Sequence, residues 1–196
     1  MPPAKIDAVY VVLDDDRFHQ CDILRDITIV EWAAEVKDAP LEERFQIFVR
    51  KVPYAIVLNQ DCDLEQDYAN RSNLASETQD KYLQSILLCP AYPEADFRLG
   101  KHLEGVNLTM QQFPLRQFEK VRQNQLFRYH FLPKNLDFQV PELVVDFKHH
   151  FTIPRDRIND EYRSAHYLVT LEMLFREDLS NRFSYFLSRI ALPELA

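Results

Sequence analysis

Glycine is scarce in this chain, since Gly100 and Gly105 are the two glycines among 196 residues. Glycine-rich loops bind phosphates because a residue without a side chain allows left-handed backbone and close approach of the phosphate. Two isolated glycines do not form a P-loop, a dinucleotide-binding fingerprint or a kinase-type loop. The sequence therefore argues against the common nucleotide-cofactor enzymes, and turns are expected at the 11 prolines and at Asn and Asp.

Cysteine and long apolar runs are also scarce. The three cysteines are widely spaced, so no disulfide framework is predicted and a reducing compartment fits best. No apolar run approaches the roughly 20 residues that span a bilayer, and the first ten residues lack the layout of a signal peptide. We therefore expect a cytoplasmic protein with no membrane segment and no nucleotide cofactor.

The chain is acidic, with a formal net charge of −8. Affinity for DNA or RNA comes mainly from Lys and Arg, so this charge does not favour a nucleic-acid partner, although a local basic patch or carboxylate-bound metal ions would supply one. A protein partner fits the charge better. Hydrophobic residues make up 46% of the chain and aromatic residues 12%, which predicts a folded core.

The order of strand and helix patterns predicts the fold class. Strand patterns cover residues 6–13, 21–36, 41–58, 82–89, 126–132, 143–153 and 165–171, and helix patterns cover 94–104, 114–123 and 175–190. The start of the third strand, residues 41–44, would also suit a helix; that strand is expected to bend at Pro53 and the fourth to end at Pro90. This order favours an α+β fold with a mostly antiparallel small (SH3-like) barrel or sheet. We expect one domain over residues 1–196, with a barrel core at about 6–90 and 126–172, an inserted helical pair at about 91–125 and a C-terminal amphipathic helix at 175–190.

The main candidate site follows the apolar run Tyr54–Leu58. In an extended chain Asp61 and Asp63 would share one face, where two carboxylates can hold Mg²⁺ or Mn²⁺ or share a proton. Gln60 and Glu65 would add binding contacts. A plain turn, in which these side chains accept hydrogen bonds from the backbone, explains the same residues. Because neighbouring carboxylates raise a thiol pKa, Cys62 is expected to be a buried structural thiol rather than a nucleophile.

Two further groups are candidates for chemistry. A straight strand at 143–151 would place Asp146, Lys148 and His150 on one face, as a general-base or anion-binding row or as the solvated side of a sheet. In the same strand His149 would lie in the core. Arg116 and Arg128 belong to a basic stretch with interleaved aromatic residues, which predicts either phosphate contacts or a solvated helix face.

Several segments of the chain resemble segments of two known families. Ala55–Leu64, Leu143–Thr152 and Phe175–Pro193 resemble a group of bacterial proteins that share a strand with a Gln-x-Cys-Asp-Leu motif, and this resemblance implies no activity. Cys21–Ile23, Tyr54–Gln60 and Tyr82–Pro90 resemble the PemK/MazF-type barrel, which implies an SH3-like barrel of RNase-toxin ancestry. Cys21 stands where that family has glycine, and Val52 stands where it has arginine, so its catalytic arrangement does not transfer.

Two functions follow from these patterns. The first is a bacterial interaction or regulatory module inside a larger stress, mobile-element or defence system, with the Gln60–Asp67 segment facing a protein partner. The second is a metal-dependent endonuclease or phosphodiesterase in which Asp61 and Asp63 hold the metal and Asp146 and His150 complete the catalytic set. In that second hypothesis Arg116 or Arg128 would hold the phosphate.

Overall fold

The computed structural model describes residues 8–32, 47–71 and 78–189. The strands in these ranges are β1 (Tyr10–Val11), β2 (Asp22–Trp32), β3 (Ile47–Val57), β4 (Ser85–Pro93), β5 (Tyr129–Leu132), β6 (Leu143–Asp146), β7 (Phe151–Pro154) and β8 (Tyr167–Leu171). The helices in these ranges are α1 (Asp61–Arg71), α2 (Glu94–Arg98), α3 (Leu115–Arg122), α4 (Asp160–His166) and α5 (Met173–Leu187).

All strand pairs of the sheet are antiparallel, and the sheet curls into a half-barrel. The strand order is β1-β8-β2-β3-β4-β6-β5, and β7 pairs with β4 beside β6. The predicted α+β class with a mostly antiparallel sheet is confirmed. The division of the chain into a barrel core and a helical insertion stays a prediction, although α2 and α3 do lie between β4 and β5.

The core follows from the alternation of side chains along the strands. Ile23 and Ile56 point into a cluster that includes Leu179 and Phe183 of α5. Their neighbours Leu24 and Ala55 point to the opposite face, into a cluster closed by α1 and the segment before α4. A third, aromatic cluster fills the space between the sheet and α2 and α3; it contains Tyr92, Phe97, Phe113, Phe118, Tyr129 and Phe131.

Prolines were expected to end or bend two strands, and one of these expectations is wrong. β4 continues through Pro90 to Pro93 because it changes partner there: β7 pairs up to Leu88, and β6 begins opposite Ala91. Pro90 lies between the last residue that pairs with β7 and the first that pairs with β6. Its nitrogen, which has no hydrogen to donate, is therefore not needed for a bond to either strand. At Pro53 the chain also remains in one strand, but the β2–β3 register skips Pro53 and Asp26, so the ladder is irregular at the predicted bend.

Other differences concern segments with weak patterns. Of the predicted first strand, Tyr10–Val11 forms a strand and residues 8, 9, 12 and 13 do not, while residues 6 and 7 lie outside the described ranges. The ends of two other predicted strands, residues 33–36 and 41–46, also lie outside the described residues. Helix α4 was not predicted, although Asn159 caps it by accepting a hydrogen bond from the Tyr162 N–H, which is a recognisable sequence signal.

Asn and Asp do supply turns that glycine would otherwise make, as the glycine count predicts. Asn107 and Asn124 have φ values of 58° and 55°, in the left-handed region, whereas Asp26, with φ of 58°, lies inside β2. Gly100 has φ of 70°, and a Cβ there would lie 2.3 Å from the carbonyl oxygen of Met110, so this position requires glycine. In the described ranges, no helix is both long enough and apolar enough to cross a membrane.

Candidate functional site

The segment after β3 is a helix and not an extended strand exit. Asp61 and Asp63 lie in the first turn of α1, where carboxylates are stabilised by the helix dipole. The Gln60 carbonyl accepts hydrogen bonds from the N–H groups of Asp63 and Leu64. Two helical steps rotate a side chain by about 200°. The expectation that Asp61 and Asp63 share one face is therefore wrong.

Asp61 is already bound by neighbouring groups. Arg17 donates to it at 3.0 and 3.4 Å, the Gln20 N–H donates at 3.2 Å, and His19 Nδ1 lies 3.3 Å away. The hydrogen bond from His19 and the contacts with Arg17 outweigh burial and lower the pKa of Asp61. The carboxylate thus ties the segment before β2 to the start of α1.

His19 lies between two carboxylates. Its Nε2 is 2.8 Å from both carboxylate oxygens of Asp15, and its Nδ1 faces Asp61. Burial of the ring favours the neutral imidazole, but the hydrogen bonds to Asp61 and Asp15 outweigh burial and raise the pKa of His19. One residue of the acidic segment Asp14–Asp16 therefore serves to hold this histidine.

The far end of α1 is anchored by a buried carboxylate. Asp67 is 1% exposed, and its two oxygens accept from Arg155 Nε at 2.8 Å and from Arg71 Nε at 2.7 Å. The N–H of Leu83 also donates to Asp67 at 2.8 Å. These bonds join α1 to the segment before β4 and to the segment after β7, and they hold the helix at a fixed orientation.

The outer face of α1 carries most of the remaining predicted residues. Asp63, Glu65 and Cys62 are exposed, and so is Gln60 immediately before the helix. The expectation of a buried Cys62 is wrong, because the helix places it on the solvent side while Leu64 faces the core. The structure therefore presents exposed acidic side chains on a helix that is anchored at both ends. We call Gln60, Asp63, Glu65 and Gln66 the α1 face, in which Asp63 and Glu65, two helical steps apart, lie on opposite flanks of the exposed side.

Asp146 and Arg128 are brought together by the fold. Asp146 is fully buried, and Arg128 donates to it through two nitrogens at 2.8 and 2.6 Å. His149 Nδ1 lies 2.8 Å from Asp146. Burial would raise the pKa of Asp146, but the hydrogen bonds and charges of Arg128 and His149 outweigh it and lower the pKa to about 2. The predicted residues Asp146 and Arg128 thus satisfy each other.

The predicted row of Asp146, Lys148 and His150 does not form. The Asp146 side chain accepts from the Lys148 N–H, and a 3₁₀ turn over Phe147–His149 interrupts the predicted strand. His150 is exposed, with Nδ1 2.9 Å from the Phe147 carbonyl oxygen, and His149 takes the place beside Asp146. The prediction that His149 lies in the core is wrong, because this residue is partly exposed.

The predicted catalytic residues do not converge. Asp61 and Asp146 are held by separate sets of partners, and Arg116 is exposed on α3. Among the described residues, no group of three or more His, Cys, Asp and Glu side chains is placed to hold a metal ion. Asp61 is paired with Arg17 and His19, and Asp63 lies on another side of the helix, so an Mg²⁺ or Mn²⁺ ion shared by the two would have to displace these partners.

A cavity that the sequence does not predict lies beside the aromatic cluster. Its lining includes Arg50 and Lys51 of β3, Tyr92 of β4 and His102, which follows α2. Asp146, His149 and Arg128 lie close enough to influence the pKa of His102. No spacing in the sequence links these residues, because they come from three segments that meet only when α2 packs on the sheet.

Comparisons of the chain with protein-family models, curated proteins and solved structures found no match. The function is therefore argued from the geometry alone.

Proposed function

We propose that the chain is an interaction or regulatory module that acts in the bacterial cytoplasm within a larger protein system of stress, mobile-element or defence type. The α1 face is its recognition surface. The observation that carries this proposal is the anchoring of α1 by Asp61 and Asp67 while its outer side remains exposed and acidic. A helix that is already rigid loses little conformational entropy when a partner binds it.

The chemistry of the α1 face indicates a basic partner surface. Asp63 and Glu65 are the exposed carboxylates of α1, and neither forms an ion pair within the described part of the chain. Opposite charge across an interface accelerates association and selects the partner. Gln60 and Gln66 add hydrogen-bonding groups at the edge of the same surface.

The test is affinity capture from the native cells with three baits. The wild-type chain and an Asp80→Lys/Asp137→Lys variant should retain the same stoichiometric protein, and an Asp63→Lys/Glu65→Lys variant should lose it. Asp80 and Asp137 are exposed acidic residues elsewhere, so the control makes the same change in net charge. Equal capture by all three baits, with each shown to be folded by circular dichroism, would refute recognition through α1.

The metal-dependent phosphodiesterase stays the alternative proposal, with Asp61 and Asp63 as metal ligands. It expects Mg²⁺ or Mn²⁺ to raise the melting temperature by binding the native state. It also expects Asp61→Asn/Asp63→Asn to remove both that shift and any cleavage of RNA or DNA. The ion pairs of Asp61 weigh against it, because a metal would have to displace Arg17 and His19.

The likeness to the PemK/MazF barrel also stays a proposal. Cys21, which stands at the family's glycine, has φ of 63°, in the left-handed region that favours glycine. This backbone supports an SH3-like origin of the barrel core. The amphipathic packing expected of the last helix is supported by Leu179 and Phe183 of α5, which are buried, although Leu187 is 54% exposed.

A further inference from the structure

Helix α4 is joined to the far end of α1 by one buried arginine. Arg155 is 5% exposed, and its Nε donates to Asp67 of α1 at 2.8 Å. Its Nη2 donates at 2.7 Å to Asp160, the first residue of α4, and its Nη1 donates to the Ile158 carbonyl oxygen at 2.8 Å. Because one planar guanidinium makes all of these bonds, the position of Asp160 fixes the orientation in which Arg155 meets Asp67.

A second buried arginine joins α4 to the other end of α1. Arg163 of α4 is 2% exposed, and its Nε donates to Asp22 at 2.8 Å. Residues 15–22, which we call the linking segment, lead from there to α1, since Arg17 donates to Asp61 in the first turn of that helix. Charged contacts therefore connect α4 to both ends of α1.

Apolar packing unites the same three pieces of the chain. Phe18 of the linking segment, Leu64 of α1 and Ile158 before α4 are buried in one cluster. The guanidinium carbon of Arg155 lies 5.4 Å from the centroid of the Phe18 ring. A buried arginine that loses a carboxylate partner is not readily solvated, so a disturbance at one of these contacts is passed to the others and is not absorbed by water.

We propose that α1, the linking segment and α4 form one cooperative unit, which opens as a whole while the remainder of the sheet stays folded. Local opening in cooperative units is a general property of native proteins. An event that loosens α4 therefore also loosens α1, and the reverse holds by thermodynamic reciprocity. The coupling is a property of the chain itself and does not depend on the role proposed for the α1 face.

Native-state hydrogen exchange of the whole chain tests the proposal with two variants of α4. Asp160→Asn weakens the contact with Arg155, and it should speed exchange of the α1 amides by about three- to tenfold. Glu161→Gln is the matched control, because it removes the same charge from the same turn at an exposed residue outside the printed ion pairs of Arg155. It should leave exchange in α1 unchanged.

The amides of α3 are the internal reference, because α3 lies outside the unit and a global loss of stability would speed their exchange equally. A double-mutant cycle adds a second measurement. The Asp61→Asn/Asp160→Asn variant should lose less stability in urea than the sum of the two single variants, because the first change already loosens the unit. The losses of Asp61→Asn and Glu161→Gln should add.

Three results would each overturn the proposal. In the first, Asp160→Asn leaves exchange in α1 unchanged relative to α3. In the second, Glu161→Gln speeds exchange in α1 as much as Asp160→Asn does. In the third, both mutant pairs are additive.

Discussion

Helix α1 and the Tyr92–His102 cavity differ in whether their buried polar groups have hydrogen-bond partners. At α1 the buried carboxylate of Asp67 has partners on three other residues. In the cavity, the Tyr92 hydroxyl and the ring nitrogens of His102 have none within the described ranges. Fully satisfied groups fix a structural element, whereas unsatisfied ones are completed by a ligand or solvent. The first region is suited to present a surface, whereas the second keeps unused hydrogen-bonding groups.

The largest effect is expected at the buried anchor of α1. Asp67→Ala should lower the free energy of unfolding by about 3 kcal/mol, because the buried Arg155 then keeps only the more exposed Asp160 as a carboxylate partner. Urea unfolding measures this change. Asp63→Ala on the exposed side of the same helix should change stability by less than about 0.5 kcal/mol. A loss below about 1 kcal/mol for Asp67→Ala would show that α1 is not held as described.

A smaller effect on stability is expected at two equally buried tyrosines that differ in the hydrogen bond of the hydroxyl. The hydroxyl of Tyr10 donates to the Pro133 carbonyl oxygen at 2.6 Å, whereas that of Tyr92 has no partner in the described residues. Tyr10→Phe should therefore cost about 1 kcal/mol of unfolding free energy. Tyr92→Phe should leave stability unchanged or raise it. An equal loss for both variants would contradict the account of the cavity as unsatisfied.

The smallest effect is a contrast in proton binding between His19 and His102. NMR titration should find the pKa of His19 above 6.5 and that of His102 below it. His19 then contributes stability that is present below about pH 6.5 and is lost as pH rises through its folded pKa. For His102 stability falls as pH drops below about 6.5, because the unfolded chain binds the proton more tightly.

The unfolding free energies of His19→Gln and His102→Gln should show these opposite pH dependences relative to the wild type. Groups around His19 are Asp15, Asp61, Arg17 and Asp22, and those around His102 are Asp146, His149, Arg128 and the backbone at Asp96. If both histidines titrate on the same side of 6.5, the contrast between paired and unpaired regions is wrong.

The predictable parts of the fold are those in which one local pattern decides the outcome. The runs in β2, the first half of β4, and β5 have β-branched and aromatic residues bounded by polar turns, and they form strands as predicted. The segment after Leu58 was misassigned because its apolar content is low. Its helix signals were acidic residues in the first turn and the spacing of Leu64, Asp67 and Arg71.

The candidate site was predictable only in part. The sequence patterns single out Asp61, Asp146 and Arg128, but the partners of these residues come from distant positions, for example Arg17 for Asp61. A pairing across 44 residues depends on how the elements pack and leaves no local trace in the sequence. Tyr92 and His102 were not predicted for the same reason, because neither belongs to a recognisable motif in its own segment.

The amino-acid sequence by itself determined the class of the fold, the scarcity of glycine loops and the need for Asn and Asp at turns. These properties depend on residues a few positions apart, so they are readable along the chain. Only the tertiary structure decided that the Asp61 and Asp67 carboxylates are consumed in anchoring α1, and that an incompletely bonded cavity opens beside α2. Such outcomes depend on which charged and polar groups burial brings together, and burial is a property of the whole chain.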